Sequence, residues 1–175
     1  MIFPEPVIFF TATIHQWKPL LNSDQFKEVI VSSLRYLSEK ERIIVFSFVI
    51  MPNHIHLIVK LLENETITES AMGSLLKYTA HEFKKSLMTH GSRLLYHYKV
   101  DEKDRNFRFW NDSTHMFEIY TDEMFTQKAD YIHNNPVSGK WSLVDHPLNY
   151  YYSSMKFYEV NENSFGFLHN YYCEQ

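Results

Sequence analysis

Glycine is scarce in this chain, with only 4 among 175 residues. Neither G-x-G-x-x-G nor G-x-x-x-x-G-K-[ST] occurs. These glycine-rich loops are what brings a backbone close to the phosphates of a dinucleotide or a nucleoside triphosphate. Nucleotide hydrolysis on a phosphate-binding loop is therefore excluded.

Cysteine is almost absent too. Cys173 stands alone, so the chain can form neither an internal disulfide nor a cysteine-based zinc site, and a cytoplasmic location is expected. The first six residues lack the basic region of a secretory signal. The longest apolar run, residues 43–51, is too short to span a bilayer.

Positive charge is not in excess, because the net charge is −4 with histidine neutral. This balance argues against a strongly basic surface for binding nucleic acids, but it is compatible with a local basic groove. Aromatic residues are abundant at 17%, and most of them are expected to pack in a core.

The hydrophobic pattern predicts an α+β fold. Residues 7–14 are rich in β-branched and aromatic side chains and predict a strand, and a helical spacing of apolar residues follows up to about Lys40. Residues 43–50 and 54–62, separated by the turn at Pro52, predict an antiparallel hairpin. A second long helix is predicted over about residues 68–88.

The second half of the chain has a weaker pattern. Candidate strands lie at residues 94–100 and 107–110, and a third helix is predicted over about residues 122–135, ended by Pro136. A short aromatic extension, about residues 141–175, completes a predicted single domain of 1–175. Within it, a short helix near residues 153–158 is expected, with Ser153 and Ser154 as its capping residues.

Two histidines stand in the order His54-Ile55-His56 at the start of a predicted strand. Alternation along a strand places both imidazoles on one face, about 7 Å apart at Cα. They could converge on one divalent ion, although a third ligand from elsewhere is needed. Two histidines on the polar face of an amphipathic strand are the plainer interpretation of this motif alone.

A tyrosine and an asparagine share a face of the third predicted helix. Tyr131 and Asn135 are four residues apart, which is the spacing of helical neighbours. Tyrosine can act as a covalent nucleophile, and an asparagine carbonyl oxygen can ligate a metal ion. Taken alone, a tyrosine in a chain that holds 12 of them is more often a packing residue. His133, between the two, points away from Tyr131 and is expected behind the site or at the surface.

Taken together, these motifs resemble the single-tyrosine HUH transposases, and more closely the REP-associated tyrosine transposases. The resemblance spans most of the chain and rests on blocks that recur in the family's order. These blocks are FFTATIHQW, VIMPNHIHLIVKL, LLKYTAHEF, FRFW, YIHNNPVSGKWSLVDHP and YYSSMKFY.

The resemblance implies a ferredoxin-like sandwich, an antiparallel sheet with helices packed on one face. It implies that His54, His56 and Asn135 bind Mg²⁺ or Mn²⁺ and that Tyr131 is the nucleophile. The implied substrate is single-stranded DNA beside a hairpin similar to a repetitive extragenic palindrome. The implied reaction is cleavage and rejoining through a 5′-phosphotyrosine.

Three further residues are weaker candidates for DNA contacts. Lys77 and His81 lie one turn apart on the second long helix, where a solvated lysine is at least as expected and an ordinary surface histidine is the favoured interpretation of His81. Asn53 precedes the histidine pair, where a turn role also suffices. A monomer is slightly favoured over a homodimer.

Two other functions stay open at this point. A histidine-triad nucleotide hydrolase also carries histidines at alternate strand positions, but its third position is occupied here by Ile58. A hairpin-binding protein without catalytic activity would retain the same fold.

Overall fold

A computed structural model of the chain describes residues 5–62 and 70–173. Its strands are β1 (Val7–Thr13), β2 (Ile43–Met51), β3 (His54–Leu61) and β4 (His115–Glu118), and its α-helices are α1 (Asp24–Glu39), α2 (Ala71–Thr89), α3 (Asp122–Asn134) and α4 (Met155–Val160). The four strands form one antiparallel sheet in the order β2-β3-β1-β4. This arrangement confirms the predicted α+β, ferredoxin-like fold, with β3 and β1 at the centre.

The two long helices α1 and α2 share one face of the sheet, as predicted. Phe26 of α1 meets Phe83 of α2 edge to face, with ring centroids 5.4 Å apart. Trp110 joins this layer, because its indole N–H donates to Thr79 Oγ1 over 3.0 Å and its backbone bridges to Ile14 at the end of β1. The predicted start of α2 near residue 68 lies outside the described residues.

The third helix departs from the predicted arrangement of helices on one face, because it lies against the opposite face of the sheet, the one that carries the histidine pair. Ser47 and His56 belong to this face, because the register pairs Val49 of β2 with His56 and alternate residues point the same way. His133 of α3 hydrogen-bonds Ser47 Oγ at 3.2 Å and Ser154 Oγ at 2.8 Å. This buried cluster fixes α3, and with it Tyr131.

Of the two locations expected for His133, behind the site or at the surface, the surface is excluded, since its side chain is 5% exposed. Ser154 has no side-chain cap bond to α4. It belongs instead to the buried cluster, where its hydroxyl also accepts from the backbone N–H of Phe48 at 3.0 Å. Capping signals and buried polar clusters use the same residue types, so the sequence alone does not separate the two roles.

Two predicted strands are wrong, and the fourth strand was missed. Residues 94–100 fall mostly in a 3₁₀ segment, Arg93–Tyr98. Residues 107–110 make only isolated bridges, and their aromatic character reflects core packing, because Phe109 and Trp110 are buried. All four residues of β4 are exposed, so this strand has no alternating pattern of burial to reveal it.

The C-terminal segment runs along the outer edge of β2. Backbone N–H groups of Ser154 and His169 donate to the carbonyls of Phe48 and Val45, both over 3.0 Å. An open sheet edge invites pairing with other chains, and this segment covers one of the two edges. Within the described ranges, none of the helices has both the length and the apolar character needed to cross a lipid bilayer.

We expect the stability of the fold to depend on pH through His133. Burial lowers the pKa of its imidazole from 6.5 to about 4, so between these values the unfolded chain binds the extra proton. The contribution of His133 to the free energy of unfolding should therefore be highest above about pH 6.5 and should fall as the pH drops towards 4. The decrease is up to about 1.4 kcal/mol per pH unit for one proton.

Urea titrations across this pH range, with a chelator present, would test this. His133→Gln should be less stable than the wild type at neutral pH, and its stability should fall less steeply on acidification. His81→Gln, at an exposed position of α2, is the control and should follow the wild type. A His133→Gln slope as steep as the wild-type slope would contradict the prediction.

Candidate active site

The site is built on the first residues of β3. The His54 and His56 side chains lie on one face of this strand, with ring centroids 4.8 Å apart. Both are buried, with 9% and 5% of their surface exposed. The sequence prediction that the imidazoles share a face is therefore confirmed, and the plainer interpretation of a solvated strand face is wrong.

Each imidazole is held at its Nδ1 atom. Asn53 Oδ1 lies 2.6 Å from His54 Nδ1, and the Asn53 Nδ2 amide donates to the Trp17 carbonyl over 3.2 Å. This second bond fixes the orientation of the Asn53 amide. Since Oδ1 can only accept, the His54 Nδ1 atom carries the proton, and its Nε2 atom is unprotonated and keeps its lone pair.

His56 is also held at its Nδ1 atom, by the neighbouring strand. The register of β1 with β3 pairs Thr11 with His56, and the Thr11 hydroxyl lies 2.6 Å from His56 Nδ1. The His56 Nε2 atom is buried and has no hydrogen-bond partner among the described residues. An unsatisfied buried polar atom is uncommon, and this nitrogen is available to a ligand.

Both imidazoles are neutral at physiological pH. Burial lowers the pKa of His54 to about 4, opposed by a hydrogen bond with the Asn135 side chain and assisted by the charge of Lys140. Burial also lowers the pKa of His56 to about 3, with smaller contributions from His54 and Lys128. Neutral imidazole is the form that binds a metal ion.

Tyr131 and Asn135 reach the histidine pair from α3 and the turn after it. The Tyr131 ring lies 5.1 Å from the His56 ring, at 68°, while Asn135 hydrogen-bonds His54. Asn135 keeps helical angles, φ −55° and ψ −43°, although the following Pro136 disfavours them. The helical spacing read from the sequence therefore holds, and the four candidate residues lie together.

The donors at this site are two imidazole nitrogens and one amide. Across residues 5–62 and 70–173, no group of three or more His, Cys, Asp and Glu side chains could hold a metal ion. The fit to a divalent ion rests instead on the unpartnered Nε2 atom of His56, the lone pair on Nε2 of His54, and the Asn135 amide beside His54. Such a set would leave coordination positions open for a substrate oxygen.

The three weaker candidates lie in two different places. Asn53 is buried and orients His54, so the structure brings it into the site as a support for a histidine. Lys77 and His81 are exposed on α2, which covers the other face of the sheet. Neither lines the cavity next to Tyr131; as DNA contacts they stay predictions.

Sequence reasoning missed Thr11 and Lys128. Thr11 acts through strand register, which the sequence does not specify. Lys128 lies three residues before Tyr131, so the helical spacing that linked Tyr131 to Asn135 would also have indicated that Lys128 shares this face. Together with His56 and Tyr131, both residues line the same cavity.

Comparison with known structures supports the fold. A REP-associated tyrosine transposase bound to a REP hairpin superposes with a TM-score of 0.62 and 16% identity, covering 97% of this chain and 86% of the other. A Deinococcus radiodurans R1 protein assigned as a transposase gives a TM-score of 0.46 and 16% identity, covering 77% of this chain and 92% of the other. At 16% identity, the likeness to the first of these structures shows the fold alone.

The family is shown by sequence. No curated protein matches the chain significantly. The family model described as "Transposase IS200 like" matches residues 10–135, which is well over half of the chain. The matched range begins in β1 and ends at Asn135, so it contains both histidines and Tyr131. The chain therefore belongs to the family of IS200-like, single-tyrosine HUH transposases.

Proposed function

We propose that this transposase cleaves and rejoins single-stranded DNA beside a hairpin, through a covalent bond between Tyr131 and a 5′ phosphate. The observation that carries the proposal is the buried, unpartnered Nε2 atom of His56, with the Tyr131 ring 5.1 Å from the His56 ring. The expected metal site and the nucleophilic side chain therefore lie next to each other.

His54, His56 and Asn135 would hold a divalent ion, Mg²⁺ or Mn²⁺. Such an ion polarises a phosphodiester and stabilises the charge that develops as it is attacked. The chain supplies only neutral donors here, so the phosphate itself would bring the negative charge that the ion requires. This favours binding of ion and DNA together.

Tyr131 is well placed to attack, because its side chain is 52% exposed while its ring contacts His56. Its phenolic oxygen would form a bond to phosphorus, and the bond from phosphorus to the 3′ oxygen would break. The phenolic proton passes to solvent, and the departing 3′ oxygen takes up a proton. Because the new link is again a phosphodiester, rejoining needs no nucleoside triphosphate, in agreement with the absence of a phosphate-binding loop.

Hairpin DNA is the substrate class that we infer. The support is the likeness of fold to a REP-associated transposase that was solved with a REP hairpin. A monomer is the state that we infer, supported by the C-terminal segment that covers the β2 edge. The match to the transposase family favours this reaction over the nucleotide-hydrolase alternative, whose third histidine is replaced here by Ile58.

We expect Tyr131→Phe to abolish covalent capture of DNA. The test incubates the protein with Mn²⁺ and a set of labelled single-stranded hairpins, and detects labelled protein on a denaturing gel. Because Phe lacks the attacking oxygen but keeps the ring that packs near His56, folding and DNA binding should persist.

Tyr120→Phe is the matched control, at an exposed tyrosine just before α3, and should form the adduct at the wild-type level. An adduct that survives Tyr131→Phe would refute the assigned nucleophile. DNA binding by the wild type without any adduct, across a broad set of hairpins, would favour the alternative of a catalytically silent hairpin-binding protein.

We expect Thr11→Val to weaken metal binding without removing a ligand. The substitution keeps the shape of the side chain but removes the hydroxyl beside His56 Nδ1, which orients the imidazole. Loss of such a support commonly costs about 10- to 100-fold in metal affinity, measurable by calorimetric titration of Mn²⁺ into Tyr131→Phe protein that is bound to hairpin DNA. Thr89→Val, at an exposed position at the end of α2, is the control. Equal affinities for the two variants would contradict the assignment.

A further inference from the structure

A cavity of about 470 Å³ opens beside Tyr131 and His56, between β1, β4, α3 and the turn after β1. None of its lining residues, all of them in the described part of the chain, is an aspartate or a glutamate. Its one lysine is Lys128. In a chain with a net charge of −4, a cavity free of carboxylates favours an anionic ligand over a cationic one.

Lys128 is held there by aromatic rings. Its Nζ atom lies 5.5 Å from the ring centroid of Phe9 and 5.4 Å from that of Phe117. These two rings stack on each other, with centroids 5.1 Å apart at 19°. Among the described residues, no carboxylate lies within ion-pair distance of Lys128. A cation–π contact positions an ammonium group without neutralising it, so its charge stays available to a ligand.

Trp17 forms another wall of the cavity, and its backbone is strained. Gln16 and Trp17 both have φ of 58°, a left-handed conformation that costs energy for residues other than glycine. The Trp17 side chain is nevertheless 63% exposed, so burial of its indole does not stabilise this turn. The Trp17 carbonyl accepts from Asn53, the residue that orients His54. Strain at a bulky, exposed residue beside a reactive site indicates a functional constraint.

We propose that this cavity is a nucleotide subsite for the strand that Tyr131 attacks, in which Lys128 binds a phosphate and Trp17 stacks on a base. The inference rests on the proposed function. An aromatic face accepts any base, and a lysine accepts any phosphate. The subsite would therefore hold the strand at Tyr131 irrespective of sequence, leaving sequence selection to other contacts.

Loss of the phosphate contact and loss of the stacking contact should change DNA affinity in different ways, and these can be measured separately. The probe is a fluorescein-labelled oligothymidylate of about twelve nucleotides, bound to full-length protein carrying Tyr131→Phe so that no cleavage occurs. Lys128→Met should lower the affinity and make the slope of log K against log salt shallower by about 0.7. Trp17→Leu should lower the affinity by about 5- to 100-fold and leave the salt slope unchanged.

Matched controls exist for both residues. Lys84 on α2 also lies over an aromatic ring, 5.2 Å from the centroid of Phe107, but does not line the cavity, so Lys84→Met should change neither affinity nor slope. Tyr36 is an exposed aromatic residue of α1, and Tyr36→Leu should bind as the parent does. Thermal melting of each variant would establish that it is folded.

The outcomes separate this inference from the function on which it rests. If the parent protein binds the probe and Lys128→Met keeps the salt slope of Lys84→Met, or Trp17→Leu keeps the affinity of Tyr36→Leu, the subsite is overturned while the proposed function stands. If the parent binds neither the oligothymidylate nor any of the labelled hairpins, the proposed function fails and the subsite with it.

Discussion

The pairing of β1 with β3 is the constraint on which the rest of the site depends. This register sets Thr11 opposite His56, so that the hydroxyl holds Nδ1 and leaves Nε2 bare and buried. The Asn53 amide, fixed by the Trp17 carbonyl, does the same for His54. A shift of one residue in this register would turn both imidazoles to the other face of the sheet, towards α1 and α2. The ligands are thus prepared by backbone pairing before any ion binds.

A buried polar cluster holds the nucleophile, Tyr131, next to the face of the sheet that carries the two histidines. The buried cluster of His133, Ser47 and Ser154 joins α3 to β2 and to the C-terminal segment. Because His133 is only two residues from Tyr131, this cluster sets the height of the tyrosine above the sheet. The C-terminal segment therefore contributes to the site although it provides none of the four candidate residues, and it also closes the β2 edge.

Much of this arrangement could be predicted from the sequence. Alternation gave His54 and His56 a shared face, and the spacing of four residues brought Tyr131 and Asn135 to the same place. Both signals are local, since they depend on the repeat of one strand or one helix. Thr11, the His133 cluster and β4 could not be predicted in this way. Thr11 acts through register, His133 through a buried contact with a distant strand, and β4 has no buried side chain to mark it.

Diffraction from crystals grown with Mn²⁺ and recorded at the manganese absorption edge would locate the ion relative to the four candidate residues. We expect an anomalous peak within bonding distance of the Nε2 atoms of both His54 and His56, with Asn135 beside it and Tyr131 facing the open side. A manganese ion bound elsewhere, or a His56 Nε2 atom that hydrogen-bonds a protein group while the ion is present in excess, would contradict this expectation.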